Sequence, residues 1–339
     1  MATQKLPVIT TLGSHSALQI AKGAHDEGLQ NLIITTPDKV SLYKRYPFID
    51  EVIEVAAYSD FLSLEKKLLK KNVVIIPHGS FVAYLGRDQH REMKLNYFGN
   101  KYVLDWEFDR QKQRTWMEEA AIRVPQQFTE DEEIDRPVIV KTYGAAGGTG
   151  YFLAKNSEDL KRQILTLGAK KYIMQEYIIG VPVYVHYFYS VVDQRLEVLS
   201  IDRRYESNAD GLGRLPLQHQ TETLEPSYTV IGNSPLVIRE SLLPEIYRMG
   251  ERVIETSKKL ISPQGIFGPF CLEMIVDQNQ KMYVIEISAR IVAGTNLFMQ
   301  GSPYSDLFFD EPMSTGRRIA REIKSASKAG KLNSILHEQ

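Results

Sequence analysis

Four short apolar runs, at 8–12, 31–36, 51–55 and 73–76, alternate with helix-spaced stretches near the amino end of this 339-residue chain. Each run is bounded by polar or turn residues, as a strand requires. Between the first two, Ala17, Ile20, Ala21 and Ala24 recur at helical spacing, and Gly28 supplies a stop. Phe61, Leu62, Leu64, Leu68 and Leu69 predict another helix ahead of the fourth run. Strand–helix–strand order at this spacing favours a parallel, doubly wound sheet, expected over 1–100.

After that the text changes. Residues 105–121 are charged and aromatic with helical character, and Arg123-Val124-Pro125 ends them. The polar stretch 129–136 leads into a strand at 138–141, followed by glycine loops, hairpin candidates and aromatic-rich runs such as 184–192. Residues 316–328 read as a closing helix whose Arg317, Arg318, Arg321 and Lys324 form a solvated basic face. Lys and Arg total 41 against 42 Asp and Glu, so no nucleic-acid or membrane partner is expected. The single Cys271 excludes an internal disulfide or a cysteine metal cluster, and its apolar strand suits packing rather than nucleophilic chemistry. No apolar run approaches the ~20 residues of a membrane span, and residues 1–7 lack a signal-peptide core. The expectation is a cytoplasmic protein of two or three packed subdomains.

Four places suit chemistry. Gly13-Ser14-His15-Ser16 lies at the carboxyl end of the first run, where open α/β sheets bind ligands, although Ser14 also reads simply as a helix cap. Pro77-His78-Gly79-Ser80 occupies the equivalent end of the fourth run, so the two loops can share one anionic ligand. Lys141 precedes the glycine loop 143–150, whose Gly147 and Gly148 suit a flap closing over phosphates, or else a plain turn. Glu273 and Glu286 fall in two strand-like runs, 270–276 and 282–287, about a polar connection. A symmetric hairpin sets these carboxylates opposite each other, which is unfavourable without a cation. Magnesium with nucleotide phosphates suits that role, and alternation adds Ser288 and Arg290 to the face of Glu286. Exposed glutamates are the plainer alternative. Arg203 and Arg204, beside Tyr205 and Glu206, read as an anion-steering pair or a solvated cluster, and His186 as a site or core histidine.

A strand-end lysine, a glycine flap, Gln175-Glu176-Tyr177-Ile178 and then paired glutamates resemble the ATP-grasp ligases. Longer strings, among them 77–81, 186–190, 202–206, 238–243, 268–273 and 286–290, resemble the archaeal formate-dependent 5-formaminoimidazole-4-carboxamide ribonucleotide synthetases. The resemblance implies a Rossmann-like domain at 1–100, an ATP-grasp small lobe at 101–190 and a large lobe at 191–339. It implies formylation of 5-aminoimidazole-4-carboxamide ribonucleotide (AICAR) by ATP and formate through formyl phosphate. His15, Ser80 and Asn233 then match the ribonucleotide site. Lys141, Gly147, Gly148, Gln175, Glu176, Tyr177, Ile178 and Glu206 match the ATP site. Glu273 and Glu286 match the magnesium or manganese positions, with Lys141, Arg204 and Arg290 in the catalytic set. A homo-oligomer, hexamer or trimer, is implied as well. The chain departs from the family pattern at Ala146 and Thr149 in the flap. It also has Val183 where many ATP-grasp proteins have a ribose-binding Glu, and Ser288 in place of Asn. Arg110 and Arg114 compete for a phosphate-binding position. A ligase for another carboxylate and amine, or a nucleotide-binding paralogue without turnover, stays open at this point.

Overall fold

The computed structural model describes residues 6–129, 132–142, 151–167, 171–206, 212, 216, 230–292 and 300–337. The glycine loop with Ala146, Gly147, Gly148 and Thr149 lies outside the described residues.

The amino-terminal runs form strands β1 (Val8–Leu12), β2 (Asn31–Thr35), β3 (Glu51–Glu54), β4 (Val73–Ile75) and β5 (Asn96–Tyr97). They pair in parallel in the order β3-β2-β1-β4-β5. The order reverses between β1 and β4, so loops 13–16 and 77–80 leave the sheet side by side at its switch point. Gly28, with a φ of 71°, ends the helix Ala17–Asp26 as its position suggested. The expected helix over 61–69 divides into a 3₁₀ turn, Tyr58–Leu64, and the helix Glu65–Lys70. The stretch 105–121 also divides, into helices Lys101–Glu107 and Arg110–Glu119. The Asp109 carboxylate accepts from the amides of Gln111 and Lys112 at 3.0 and 3.1 Å, which starts a new helix there.

A four-stranded antiparallel sheet follows, ordered β6-β9-β7-β8, from β6 (Gln127–Phe128), β7 (Val138–Thr142), β8 (Tyr151–Ala154) and β9 (Tyr172–Glu176). The largest sheet contains β10 (Gly180–Ser190), β11 (Arg195–Glu206), β12 (Val230–Pro235), β13 (Gly268–Asp277) and β14 (Met282–Ser288), ordered β12-β11-β10-β13-β14. Because β10 bonds along its length to β11 and β13, we draw the lobe junction between β9 and β10, ahead of residue 190.

Alternation gives this sheet two unlike faces. Val183, Val185, Tyr187, Leu272, Met274 and Ile287 pack in the main core with Ile246, Met249 and Val253 of the helix Leu243–Leu260. Tyr184, His186, Asp202, Arg204, Cys271, Glu273, Glu286 and Ser288 point the other way, as the cross-strand register requires. Val183 is therefore core. Cys271 is fully buried, and burial pushes its thiol well above the usual range, in keeping with packing.

The closing helix, Thr315–Lys328, corrects the expected solvated face. Arg318 is 1% exposed and bonds Glu197 and Glu322 at 2.8 and 2.9 Å. Arg317, Arg321 and Lys324 converge on Glu27 of the amino-terminal domain. A Cβ on Gly23 or Gly316 would come within 2.2 Å of the facing backbone, so this helix crosses Ala17–Asp26 in direct backbone contact. The basic residues thus join domains, a role periodicity alone does not distinguish from solvation.

Candidate functional site

Where the four-stranded and five-stranded sheets meet lies a cleft of about 420 Å³, lined by Lys141, Gln175, Glu176, Tyr177, Ile178 and Glu206. The volume lies in the range of small-molecule sites. Every ATP-site residue expected from the sequence and described by the structure is on this wall. Arg203 and Arg204, the expected anion-steering pair, line it too, and Tyr184, Ile275 and Ile285 join them without having been foreseen. Lys141 Nζ reaches Gln175 Oε1 at 3.5 Å. Burial, reinforced by Arg110, lowers its proton affinity, while Glu286 opposes the change. Arg110 is thus the cation felt at Lys141. Arg114 is engaged elsewhere, with Glu118 at 2.8 Å and the Pro125 carbonyl at 3.2 Å. The Glu176 carboxylate accepts from Arg136 and from the Gln126 amide, each at 3.3 Å.

Glu273 and Glu286 face each other across the β13–β14 ladder. The Arg204 guanidinium forks onto Glu273 with contacts of 3.1 and 3.3 Å, and Ser288 Oγ donates to the same carboxylate at 3.1 Å. Burial raises the Glu286 carboxyl to about 7, with the charges of Glu273 and then Glu107 adding to it. Glu107 was missed by sequence reading. It is 8% exposed, accepts from the Ala289 amide at 2.7 Å and pairs with Arg290 at 2.7 Å. Its one sequence signal was an acid beside Val103 and Leu104, on the buried side of a short helix.

The amino-terminal loops meet the same face. Ser16 Oγ donates to the Val292 carbonyl at 2.9 Å, and His78 bridges to Ile291. Gly13 sits where a Cβ would come within 2.4 Å of Thr35 Oγ1, so only glycine allows this turn to lie down on β2. His15 follows with a φ of 40°, a left-handed conformation that non-glycine residues adopt at a cost. Burial lowers its proton affinity, and Arg290, Arg204 and Lys39 lower it further. Ser14 is not a cap: its hydroxyl bonds Tyr84 Oη at 2.8 Å. His78 Nε2 contacts the Leu12 carbonyl at 3.0 Å while Nδ1 accepts from the Ser80 amide at 3.2 Å, which specifies a neutral ring. Burial accordingly lowers His78 to about 3.

The loop carrying Ser80 is set against Arg290, whose Nη1 would lie 3.4 Å from a Cβ on Gly79. Asn233 is the ladder partner of Arg204 and donates to Asp202 at 2.6 Å. Asp202 also contacts His186 Nε2 at 2.6 Å, so His186 is a bonded core histidine behind Asn233. His15, Ser80 and Asn233 therefore lie around one pair of guanidiniums, on the polar face that carries the acidic pair.

The donor set of the acidic pair, on the sheet face that also carries Tyr184 and Arg204 of the cleft wall, is two carboxylates, hard oxygens that suit magnesium or manganese. A cation would also offset the Glu273 and Glu107 charges, which add to burial in raising the Glu286 carboxyl. Among the described residues, no group of three His, Cys, Asp or Glu forms a cage by itself. A metal held here therefore shares its shell with another ligand, as nucleotide phosphates allow.

Two antiparallel sheets clasping a nucleotide-sized cleft, preceded by a parallel-sheet domain, define the ATP-grasp fold. Solved structures share it. N5-carboxyaminoimidazole synthetase from Staphylococcus aureus superposes with a TM-score of 0.68 at 16% identity, over 95% of this chain and 79% of that one. The IMP biosynthesis protein PurP from Thermococcus kodakaraensis superposes at 0.79 with 31% identity, over 97% and 99% of the two chains. Residues 9–128 match a family described as "Protein of unknown function (DUF1246)", and residues 152–337 one described as "Domain of unknown function (DUF1297)". The 5-formaminoimidazole-4-carboxamide-1-(beta)-D-ribofuranosyl 5'-monophosphate synthetase of Pyrococcus horikoshii is 50% identical, over 97% of this chain and 99% of that protein. The synthetase of the same name from Nitrosopumilus maritimus is 44% identical, over 96% and 98%. The chain belongs to this synthetase family and is an ATP-grasp ligase.

Proposed function

We propose that the chain formylates AICAR with ATP and formate, releasing ADP and phosphate. One observation carries the reading: a single polar sheet face joins the nucleotide cleft, the acidic pair and the loops holding His15 and Ser80. In the first step a formate oxygen attacks the γ-phosphorus and the bond to ADP breaks, giving formyl phosphate. Lys141, Arg204 and Arg290 offset charge on the transferring group. Glu273 and Glu286 would hold the magnesium or manganese ion, which supplies further neutralisation of the phosphate oxygens when bound. In the second step the exocyclic amine attacks the formyl carbon, phosphate leaves, and the amine loses its proton. His15, Ser80 and Asn233 position the ribonucleotide for that attack. Glu206 and the segment from Gln175 to Ile178 hold ATP, with Gly147 and Gly148 assigned to the same ATP-binding set.

The reaction needs no nucleic acid. Among the described residues no helix is long and apolar enough to cross a membrane. We include in the proposal a cytoplasmic site of action and assembly as a homo-oligomer, hexamer or trimer, the latter read by light scattering. Mass analysis of the product from ATP, magnesium, formate and AICAR tests the activity. The formamido ribonucleotide, formed with one ADP, is expected; ADP release with another acid and amine, and none with this pair, would overturn the assignment.

A further inference from the structure

Among the described residues Lys39 has no acidic partner, whereas the two arginines nearest the loops, Arg204 and Arg290, are each paired with a glutamate. Lys39 lies in the helix Pro37–Tyr43, which leaves the carboxyl end of β2 beside the loop 13–16. Its ammonium stands 5.4 Å from the ring centre of Tyr58 and 5.8 Å from that of Tyr84. Those rings stack at 4.4 Å, only 6° from parallel. Both are tied to the loop: Tyr58 Oη donates to the Gly13 carbonyl, and Tyr84 Oη bonds Ser14 Oγ. The aromatic pair thus holds the lysine toward the loop rather than leaving it to solvent. Arg290 is matched by Glu107 and Arg204 by Glu273, whereas Lys39 forms no ion pair among the described residues. Its charge is nevertheless felt at both His15 and His78.

We propose that Lys39 anchors the 5′-phosphate of the ribonucleotide, held at the mouth of loops 13–16 and 77–80 by the Tyr58–Tyr84 stack. The surplus positive charge suits a phosphate monoester, whose oxygens accept from an ammonium and from loop hydroxyls. This placement rests on the reading of the two loops as the ribonucleotide site.

The test compares wild type with Lys39→Met and Lys39→Arg. Titration calorimetry with ribose 5-phosphate and with ribose is run beside steady-state KM for AICAR and for ATP. Wild type is expected to bind ribose 5-phosphate and not ribose. Lys39→Met is expected to weaken ribose 5-phosphate and raise the AICAR KM by about tenfold or more, with the ATP KM unchanged. Lys39→Arg recovers most of the loss. Unaltered ribose 5-phosphate affinity in Lys39→Met overturns the proposal, as does an effect on ATP alone or wild type that binds no sugar phosphate. Calorimetry keeps the two readings apart. If Lys39→Met loses ribose 5-phosphate binding while wild type fails to formylate AICAR, the phosphate site stands and the proposed activity falls.

Discussion

Glu286→Gln tests the acidic pair by a route independent of turnover. Burial and the neighbouring Glu273 and Glu107 raise the Glu286 carboxyl from 4.5 to about 7. A raised acid binds its proton more tightly folded than unfolded. Between pH 4.5 and about 7 the folded protein therefore holds a proton that the unfolded chain releases, and stability falls as pH rises through that window. At about 1.4 kcal/mol per pH unit, the full penalty above the upper value is about 3 kcal/mol. Glutamine keeps the shape and carries no charge. In metal-free buffer, Glu286→Gln should match wild type below pH 4.5 and exceed it by about 3 kcal/mol at pH 8, read by urea unfolding at several pH values. Adding magnesium and ATP should stabilise wild type more than the variant, because the variant has lost half of the carboxylate clamp. Turnover should fall on the order of hundredfold or more. A variant no more stable than wild type at pH 8, or a gap that does not widen with pH, refutes the opposed-carboxylate argument.

Asp202→Asn puts an amide donor against at least one of the two donors Asp202 now accepts, His186 Nε2 and Asn233 Nδ2. The KM for AICAR should rise several-fold with the ATP KM unchanged; parallel changes in both would remove Asn233 from the ribonucleotide site. Gly316→Ala places a Cβ within 2.2 Å of the Gln19 carbonyl, so helix separation should cost about 1–3 kcal/mol, visible as a lowered Tm. Arg318→Ala leaves Glu197 and Glu322 buried without their cation. It should cost about 3–5 kcal/mol at neutral pH, read by urea unfolding; a loss below about 1 kcal/mol would count against the ion network.

Four of the five amino-terminal strands were legible, because β1, β2 and β4 are buried along their whole length and every run is punctuated by turns; the two-residue β5 was not anticipated. The loops of His15 and Ser80 were legible for the same reason, as the carboxyl ends of adjacent strands. Less visible were features depending on distant partners. Glu107 reads as an ordinary helical acid until the chain just past β14 supplies Ala289 and Arg290 to it. Arg318 reads as surface until Glu197, on a strand far away in sequence, meets it in the core. Charge periodicity assigns a face to a helix but says nothing of what covers that face.

The acidic pair shows how a correct expectation can rest on incomplete geometry. Symmetry about the polar connection sets Glu273 opposite Glu286 in a regular hairpin. The turn instead pairs Val276 with Met282, Ile275 with Tyr283 and Met274 with Val284. Continued without interruption, that register would bring Ile285 opposite Glu273 and place Glu286 on the other face. A bulge between Glu273 and Met274 absorbs Ile285 and restores the facing carboxylates. Ile285 then lines the nucleotide cleft, so one irregular residue both shapes an apolar wall and aims the acid beside it. The bulge also explains why the repulsion at Glu286 persists. The strands are held by the apolar pairs on either side, and the carboxylates cannot slide apart without moving Leu272 and Ile287 out of the core. Core packing therefore maintains an electrostatically unfavourable pair that a cation can bridge.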